Sequence, residues 1–297
     1  MELVWRLDLA TLRWEAMPAL ADARSSHACC AVRNNLVVIG GATSFSEDAS
    51  LGSVEMLAEG EGAFTGQPPL TCGRIGGTVA IVVNESGSAA GQVLLLGGHV
   101  EDGETVSTVY LVDLATGVCT PQPSLLWPRR QFTAARLPDG RIVCAGGIVF
   151  DDTRLSWVEV CEPPTLGALD AAWTWREIPE MSVARSGCKG CVMSDGRFAV
   201  LGGIDGNNEF LSSCEALVVG HDEHWEVLPP MHEARSHFAC AAVAGCIIVV
   251  GGCTRTPNGV DHLRSAEVFD EVLGRWLRLP CDLPYYTGLM GLGSALL

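Results

Sequence analysis

Five arginines stand out for their spacing: Arg24, Arg74, Arg130, Arg185 and Arg235 recur along the chain, each upstream of a Gly-Gly pair. Three are followed by a serine, Ser25, Ser186 and Ser236, and Tyr286 (with Tyr285 beside it) stands where a sixth arginine would fall. A guanidinium offers its N–H groups as a planar fork that pairs bidentately with carboxylate or phosphate. Gathered in one place, these side chains would accept an acidic or phosphorylated segment. The competing reading is structural, with the guanidiniums tied to backbone carbonyls of the repeat. Two other groups carry less. Cys188-Lys189-Gly190-Cys191 has the spacing of a thiol or metal motif, but it falls in a strand, where positions three apart face opposite ways. It also lacks the second pair that a zinc site needs, so packing cysteines are expected. His221-Asp222-Glu223-His224 reads as an exposed polar turn. No cofactor or metal is expected.

The elements that must position these residues follow from an internal repeat. Gly40-Gly41, Gly97-Gly98, Gly146-Gly147, Gly202-Gly203 and Gly251-Gly252 each close an aliphatic run. Ten residues before each arginine lie Trp14, Phe64, Thr120, Trp175 and Trp225, and Trp276 has the same relation to Tyr286. Pro18, Pro68, Ser124, Pro179, Pro229 and Pro280 follow these four residues on. Three markers hold one register along the chain. Each unit reads as four short strands; in the last complete unit these are His237–Val243, Cys246–Val250, Ser265–Phe269 and Arg275–Leu279. Such a unit cannot bury its faces alone, whereas stacking the sheets radially around an axis does.

The order Arg, apolar strand, Gly-Gly, a strand with Glu, then Trp and Leu-Pro resembles the kelch repeat. It is carried by Arg235-Ser236-His237, Ile247–Gly252, Ala266-Glu267-Val268 and Trp225–Pro229. The resemblance implies an all-β, six-bladed propeller of four-stranded antiparallel blades over residues 1–297 as a single domain. The approximate blades are 19–69, 70–124, 125–180, 181–230 and 231–280, with a last blade from 281–297 plus 1–18. That last blade would be closed by N-terminal strands c and d and a C-terminal strand a, Thr287–Leu297. No strand b remains for it, which leaves either three strands or a slice of a longer protein.

Antiparallel order places the starts of strands a and c and the ends of b and d at one end of the propeller. That end gathers the arginines, the b–c loop carboxylates Glu47, Asp48, Glu101, Asp102, Glu104, Asp151, Asp152, Asp205 and Glu209, and the aromatics Phe45, Phe150 and Phe210. The expected function is a protein-interaction scaffold that docks an acidic or phosphorylated protein or peptide on an arginine-lined channel mouth. The proposed contact residues are Arg24, Ser25, Arg74, Arg130, Arg185, Ser186, Arg235, Ser236 and Tyr286. The family resemblance adds substrate adaptors of ubiquitin ligases as a context. An enzyme is the less favoured reading: a small-molecule catalyst like the sialate mutarotases would recruit His27 or His237 in the channel. Galactose-oxidase-like copper chemistry is not expected, because Tyr110, Tyr285 and Tyr286 are the only tyrosines.

Composition limits the alternatives. The net charge is −16, with 19 basic residues against 35 acidic. That balance speaks against nucleic acid and anionic membrane as partners, and no apolar run is long enough to span a bilayer. The 13 cysteines are odd in number and irregularly spaced, which suits a reducing cytoplasmic or nuclear setting. The domain is expected to be monomeric.

Overall fold

The computed structural model describes residues 3–43, 50–73, 75–84, 91–100, 103–162, 173–220, 222–284 and 294–295. Their regular structure is entirely β, arranged as four-stranded antiparallel sheets in the order a-b-c-d. Blade 1 comprises Ala28–Val32, Asn35–Ile39, Val54–Leu57 and Thr65–Gln67; blade 2 Val79–Asn84, Gln92–Leu96, Val109–Asp113 and Cys119–Gln122. Blade 3 comprises Thr133–Arg136, Ile142–Ala145, Val158–Glu162 and Thr174–Ile178; blade 4 Lys189–Val192, Phe198–Leu201, Cys214–Val218 and His224–Leu228. Blade 5 comprises Ala239–Val243, Cys246–Val250, Ala266–Asp270 and Arg275–Leu279. The strands a of successive blades lie side by side around the axis of a β-propeller.

The blade count differs from the expected six: the described residues form five four-stranded blades. The N-terminal segment contributes a two-stranded sheet, Val4–Asp8 paired with Arg13–Met17. Leu7, Leu12 and Trp14 of this hairpin pack on Val250, Ala266, Cys281 and Leu283, so the hairpin covers the outer flank of blade 5. The strand expected over Thr287–Leu297 lies outside the described residues, apart from Ser294 and Ala295. Ser294 Oγ donates to the Cys240 carbonyl (2.7 Å), against the innermost strand of blade 5. An unexpected hairpin, Cys253–Thr256 with Gly259–His262, extends the b–c connection of blade 5.

Local chemistry explains the turns. In the c–d turns, the carboxylates of Asp8, Asp113 and Asp270 accept N–H groups two and three residues on, as in Ala10 and Thr11, Ala115 and Thr116, Val272 and Leu273. These side-chain turns replace a backbone turn. Strand b is fully buried in blades 3 and 4, Ile142–Ala145 and Phe198–Leu201, and largely buried in the others, which accounts for its apolar run. The Gly-Gly pair ends strand b because both residues adopt positive φ and leave no room for a side chain. A Cβ on Gly202 (φ 55°) would lie 2.5 Å from the Arg235 carbonyl oxygen. Gly202→Ala therefore meets backbone that cannot give way, in a conformation that itself disfavours Ala. It should lower the stability read by urea denaturation by about 2–4 kcal/mol. An unshifted midpoint would contradict this packing.

Candidate functional site

The repeat arginines sit inside the molecule. Arg24, Arg129, Arg185 and Arg235 are among its largest fully buried side chains. In blade 4, Arg185 Nη1 donates to the carbonyls of Gly202 (2.9 Å) and Ser213 (3.1 Å), and Nη2 to Glu215 Oε1 (2.8 Å). In blade 3, Arg129 reaches Gly146 O (2.9 Å), Trp157 O (3.1 Å) and Glu159 (2.7 Å). In blade 5, Arg235 reaches Gly251 O (2.8 Å), Ser265 O (3.2 Å) and Glu267 (2.7 Å). Arg24 pairs in the same way with Gly40 O and Glu55. The second carboxylate oxygen takes an N–H from the d–a connection: Ala21 (2.7 Å), Leu126 (2.7 Å), Ser182 (3.0 Å) and His232 (2.7 Å).

Each guanidinium thus lashes the connection, the end of strand b and the start of strand c within one blade. The arginine's own carbonyl ties that blade to the one before it. Gly98 N–H donates to Arg129 O (2.8 Å), Gly147 to Arg185 O (2.8 Å) and Gly203 to Arg235 O (2.9 Å). Burial works to raise the Glu267 pKa, but the His232 amide, Arg235 and the His232 ring together hold it below the ordinary carboxylate value. At Glu159, which lacks the histidine, burial prevails over Arg129 and the pKa is raised.

These positions put most of the expected docking residues inside the molecule. Arg24, Arg185 and Arg235 are at most 2% exposed and have no face to offer a partner. Ser186 and Ser236 are likewise buried. Ser25, half-buried, bridges Ala42 as Ser186 bridges Ile204 and Ser236 bridges Cys253. Arg74 and Tyr286, with Tyr285, lie outside the described residues, as do Phe45, Glu47, Asp48, Glu101, Asp102 and His221. Arg130 is one residue out of register with the clamp, which Arg129 occupies. Of the four expected arginines that are described, Arg130 alone reaches the surface, with Nη1 on Thr105 Oγ1 (2.7 Å) and Nη2 on Asp152 (3.0 Å).

The inner rim of this face is backbone. Ser26, Gly77, Gln131, Gly187 and His237 all adopt positive φ. Each links to the previous one by an N–H to carbonyl bond: Gly77 to Ser26 (2.8 Å), Gln131 to Gly77 (3.4 Å), Gly187 to Gln131 (2.8 Å) and His237 to Gly187 (2.8 Å). Below this ring stand His27 and Lys189, the only lysine of the chain. Burial, with Arg24 and Lys189 nearby, lowers the His27 pKa to about 3, and burial with Lys189 lowers His237 to about 4. Both imidazoles are neutral near pH 7. Their basicity is far below what a general base working near neutrality needs, which weighs against the channel-enzyme reading.

The outer rim is where side chains are free. Phe150, in the b–c loop of blade 3, is 76% exposed. On the d–a connection before the same blade, Leu126 and Trp127 are exposed, and Trp127 packs on Trp157 with ring centroids 4.5 Å apart. Arg154 donates to Asn208 Oδ1 (2.7 Å) and joins this loop to that of blade 4. Asp205 is spent inside its own loop, accepting from the N–H groups of Asn207 and Glu209 (2.9 Å each). The CxxC cysteines do pack apart: Cys188 joins the core cluster between blades 3 and 4, and Cys191 the one between blades 4 and 5.

The Kelch motif family matches residues 234–281, which span blade 5 from its clamp arginine through strand d. The chain carries a kelch repeat in blade 5. Blades 1, 3 and 4 carry the same clamp, Gly-Gly pair and strand order. An F-box/kelch-repeat protein of Arabidopsis thaliana is 40% identical over 58 residues, 20% of this chain and 15% of the relative. A second F-box/kelch-repeat protein of the same plant is 32% identical over 93 residues, 31% of this chain and 23% of the relative. The matched stretches span less than a quarter of either relative's length. Blade 2 departs most from the kelch pattern: Ile75 takes the clamp position, its carbonyl accepting from Gly41 N–H (2.9 Å), and Tyr110 takes the place of the strand-c glutamate.

Proposed function

We propose that this kelch propeller is a protein-interaction scaffold whose partner docks on the loop-bearing face of blade 3. Phe150 is the anchor, Leu126 and the Trp127–Trp157 pair extend the apolar contact, and Arg130 and Arg154 supply polar contacts at its edge. The observation that carries this reading is the 76% exposure of Phe150, since a large aromatic held in water at a loop tip gains free energy when a partner covers it. The preferred ligand is a protein segment with apolar side chains. An acidic or phosphorylated ligand loses its main support, because the clamp guanidiniums are already neutralised by glutamates. The likeness to F-box/kelch-repeat proteins supports a substrate adaptor of a ubiquitin ligase as the setting.

The test is capture of partners by the immobilised chain, comparing Phe150→Asp with Val272→Asp. Val272 is 92% exposed in a c–d turn of blade 5, at the opposite end of the propeller. The Phe150 variant should lose partners at least about tenfold while the Val272 variant keeps them. Equal retention by both would overturn the assignment of the face.

A further inference from the structure

Neighbouring blades are stapled on the outside by an indole. Trp175 Nε1 donates to Pro123 O (3.0 Å), Trp225 to Pro179 O (2.7 Å), Trp276 to Pro229 O (2.8 Å), and Trp14 of the hairpin to Cys281 O (2.9 Å). The tryptophans of blades 3, 4 and 5 pair in register with Cys161, Leu217 and Phe269 of strand c. In blade 2 the equivalent partner, Val112, faces Cys119. A cysteine therefore replaces the staple at the seam between blades 1 and 2.

The connection from blade 1 meets that cysteine closely. Thr71 N–H donates to Gly117 O (3.0 Å) and Cys119 N–H to Thr71 Oγ1 (2.9 Å). Gly117 allows the approach, since a Cβ there would lie 2.2 Å from Pro69 O. The Cys72 and Cys119 side chains lie close enough to interact electrostatically, and the Cys119 thiol donates to Gly117 O (3.5 Å). Both cysteines are half-buried and pack on one core cluster.

We propose that Cys72 and Cys119 form an oxidisable dithiol that a hydroperoxide closes into a disulfide across the blade 1–blade 2 seam. The Cys119 thiolate attacks the peroxide, the O–O bond breaks, and sulfur is oxidised by two electrons to the sulfenic acid as the other oxygen leaves, protonated, as water or an alcohol. Cys72 then attacks Cys119 sulfur. The S–O bond breaks, the S–S bond forms, and the hydroxyl leaves as water with the proton of Cys72. The interaction with Cys72 favours ionisation of Cys119 and holds its pKa below the ordinary thiol value.

Other thiols are placed differently. Cys144, Cys161, Cys188 and Cys214 are buried, and burial pushes each pKa up. Cys191 and Cys240 hydrogen-bond across the inner seam of blades 4 and 5, but that bond and burial hold the Cys191 pKa well above an ordinary thiol. Thiolate fraction governs reaction with peroxide, so the outer pair should react first.

The test is exposure of the folded chain to hydrogen peroxide, alkylation of the remaining thiols, and peptide mapping without reduction. A linked peptide joining Cys72 to Cys119 should dominate, and dithiothreitol should reverse it. In Cys72→Ser the link should vanish, and dimedone should trap the sulfenic acid at Cys119. Earlier linkage of Cys191 to Cys240, sulfinic acid at Cys119 without a link, or no reaction at either residue would each overturn the proposal.

Discussion

Arg185→Ile should destabilise the propeller by about 3–5 kcal/mol, and adding Glu215→Tyr should recover most of that loss. The single change leaves Glu215 buried, 2% exposed, with its cation gone. An uncompensated buried charge is among the costliest states a core can hold. The double change removes the charge along with its partner and installs the pair that blade 2 already uses, Ile75 and Tyr110. Ile75 is 4% exposed there and packs with Tyr110 on the core shared by blades 1 and 2. Some cost remains, because the carbonyls of Gly202 and Ser213 lose the donors that Arg185 supplied. A double-mutant cycle by urea denaturation should give a coupling of about 2 kcal/mol or more. Additive single changes would mean that the ion pair is not the unit that closes the blade.

Stability should also fall steeply in acid, through His27 and His237. The folded pKa values, about 3 and about 4, lie below the value of about 6.5 for an unfolded histidine. Between the two values the unfolded chain binds more protons than the folded one, so stability is intact above about pH 6.5 and drains away as pH falls toward the folded values. Both side chains are partly rather than fully enclosed, and roughly 2 kcal/mol each by pH 4 is the expected scale. Glu267 adds to the same trend at lower pH, since its depressed pKa makes its contribution disappear once it is protonated. The variant His27→Phe/His237→Gln takes the residues that stand at these positions in blade 3, Phe132 and Gln131. Gln131 already adopts the same left-handed backbone, φ 55° against 56° for His237. Its stability should fall by about 4 kcal/mol less between pH 7 and pH 4. Parallel curves for the two proteins would contradict the placement of the histidines.

The repeat was legible because its markers have backbone causes. Gly-Gly pairs report positive φ at the end of strand b, and the strands Cys246–Val250 and Arg275–Leu279 have the bounds read from the sequence. The fate of the arginines was not legible, because spacing fixes register and says nothing of where a long side chain points. The signal was present in the strand-c glutamates Glu55, Glu159, Glu215 and Glu267, one for each clamp arginine. Adjacent arginines misled at blade 3: Arg129 has the same distance to its Gly-Gly pair as Arg185 has, and Arg130 the distance seen at Arg24 and Arg235. At blade 2 the register of strand d places Cys119, not Thr120, at the tryptophan position. The extra hairpin of blade 5 turns at Pro257-Asn258, and Gly259 (φ 123°) opens its return strand.

The central claim is that the repeat arginines hold the blades while the outer rim meets the partner. The most direct measurement is partner capture by Arg185→Ile/Glu215→Tyr, first shown by circular dichroism and urea denaturation to be folded. The account predicts that this variant keeps the partners of the native chain, because its rim is untouched. Loss of those partners from the folded variant would contradict the account and return the arginine to the docking site.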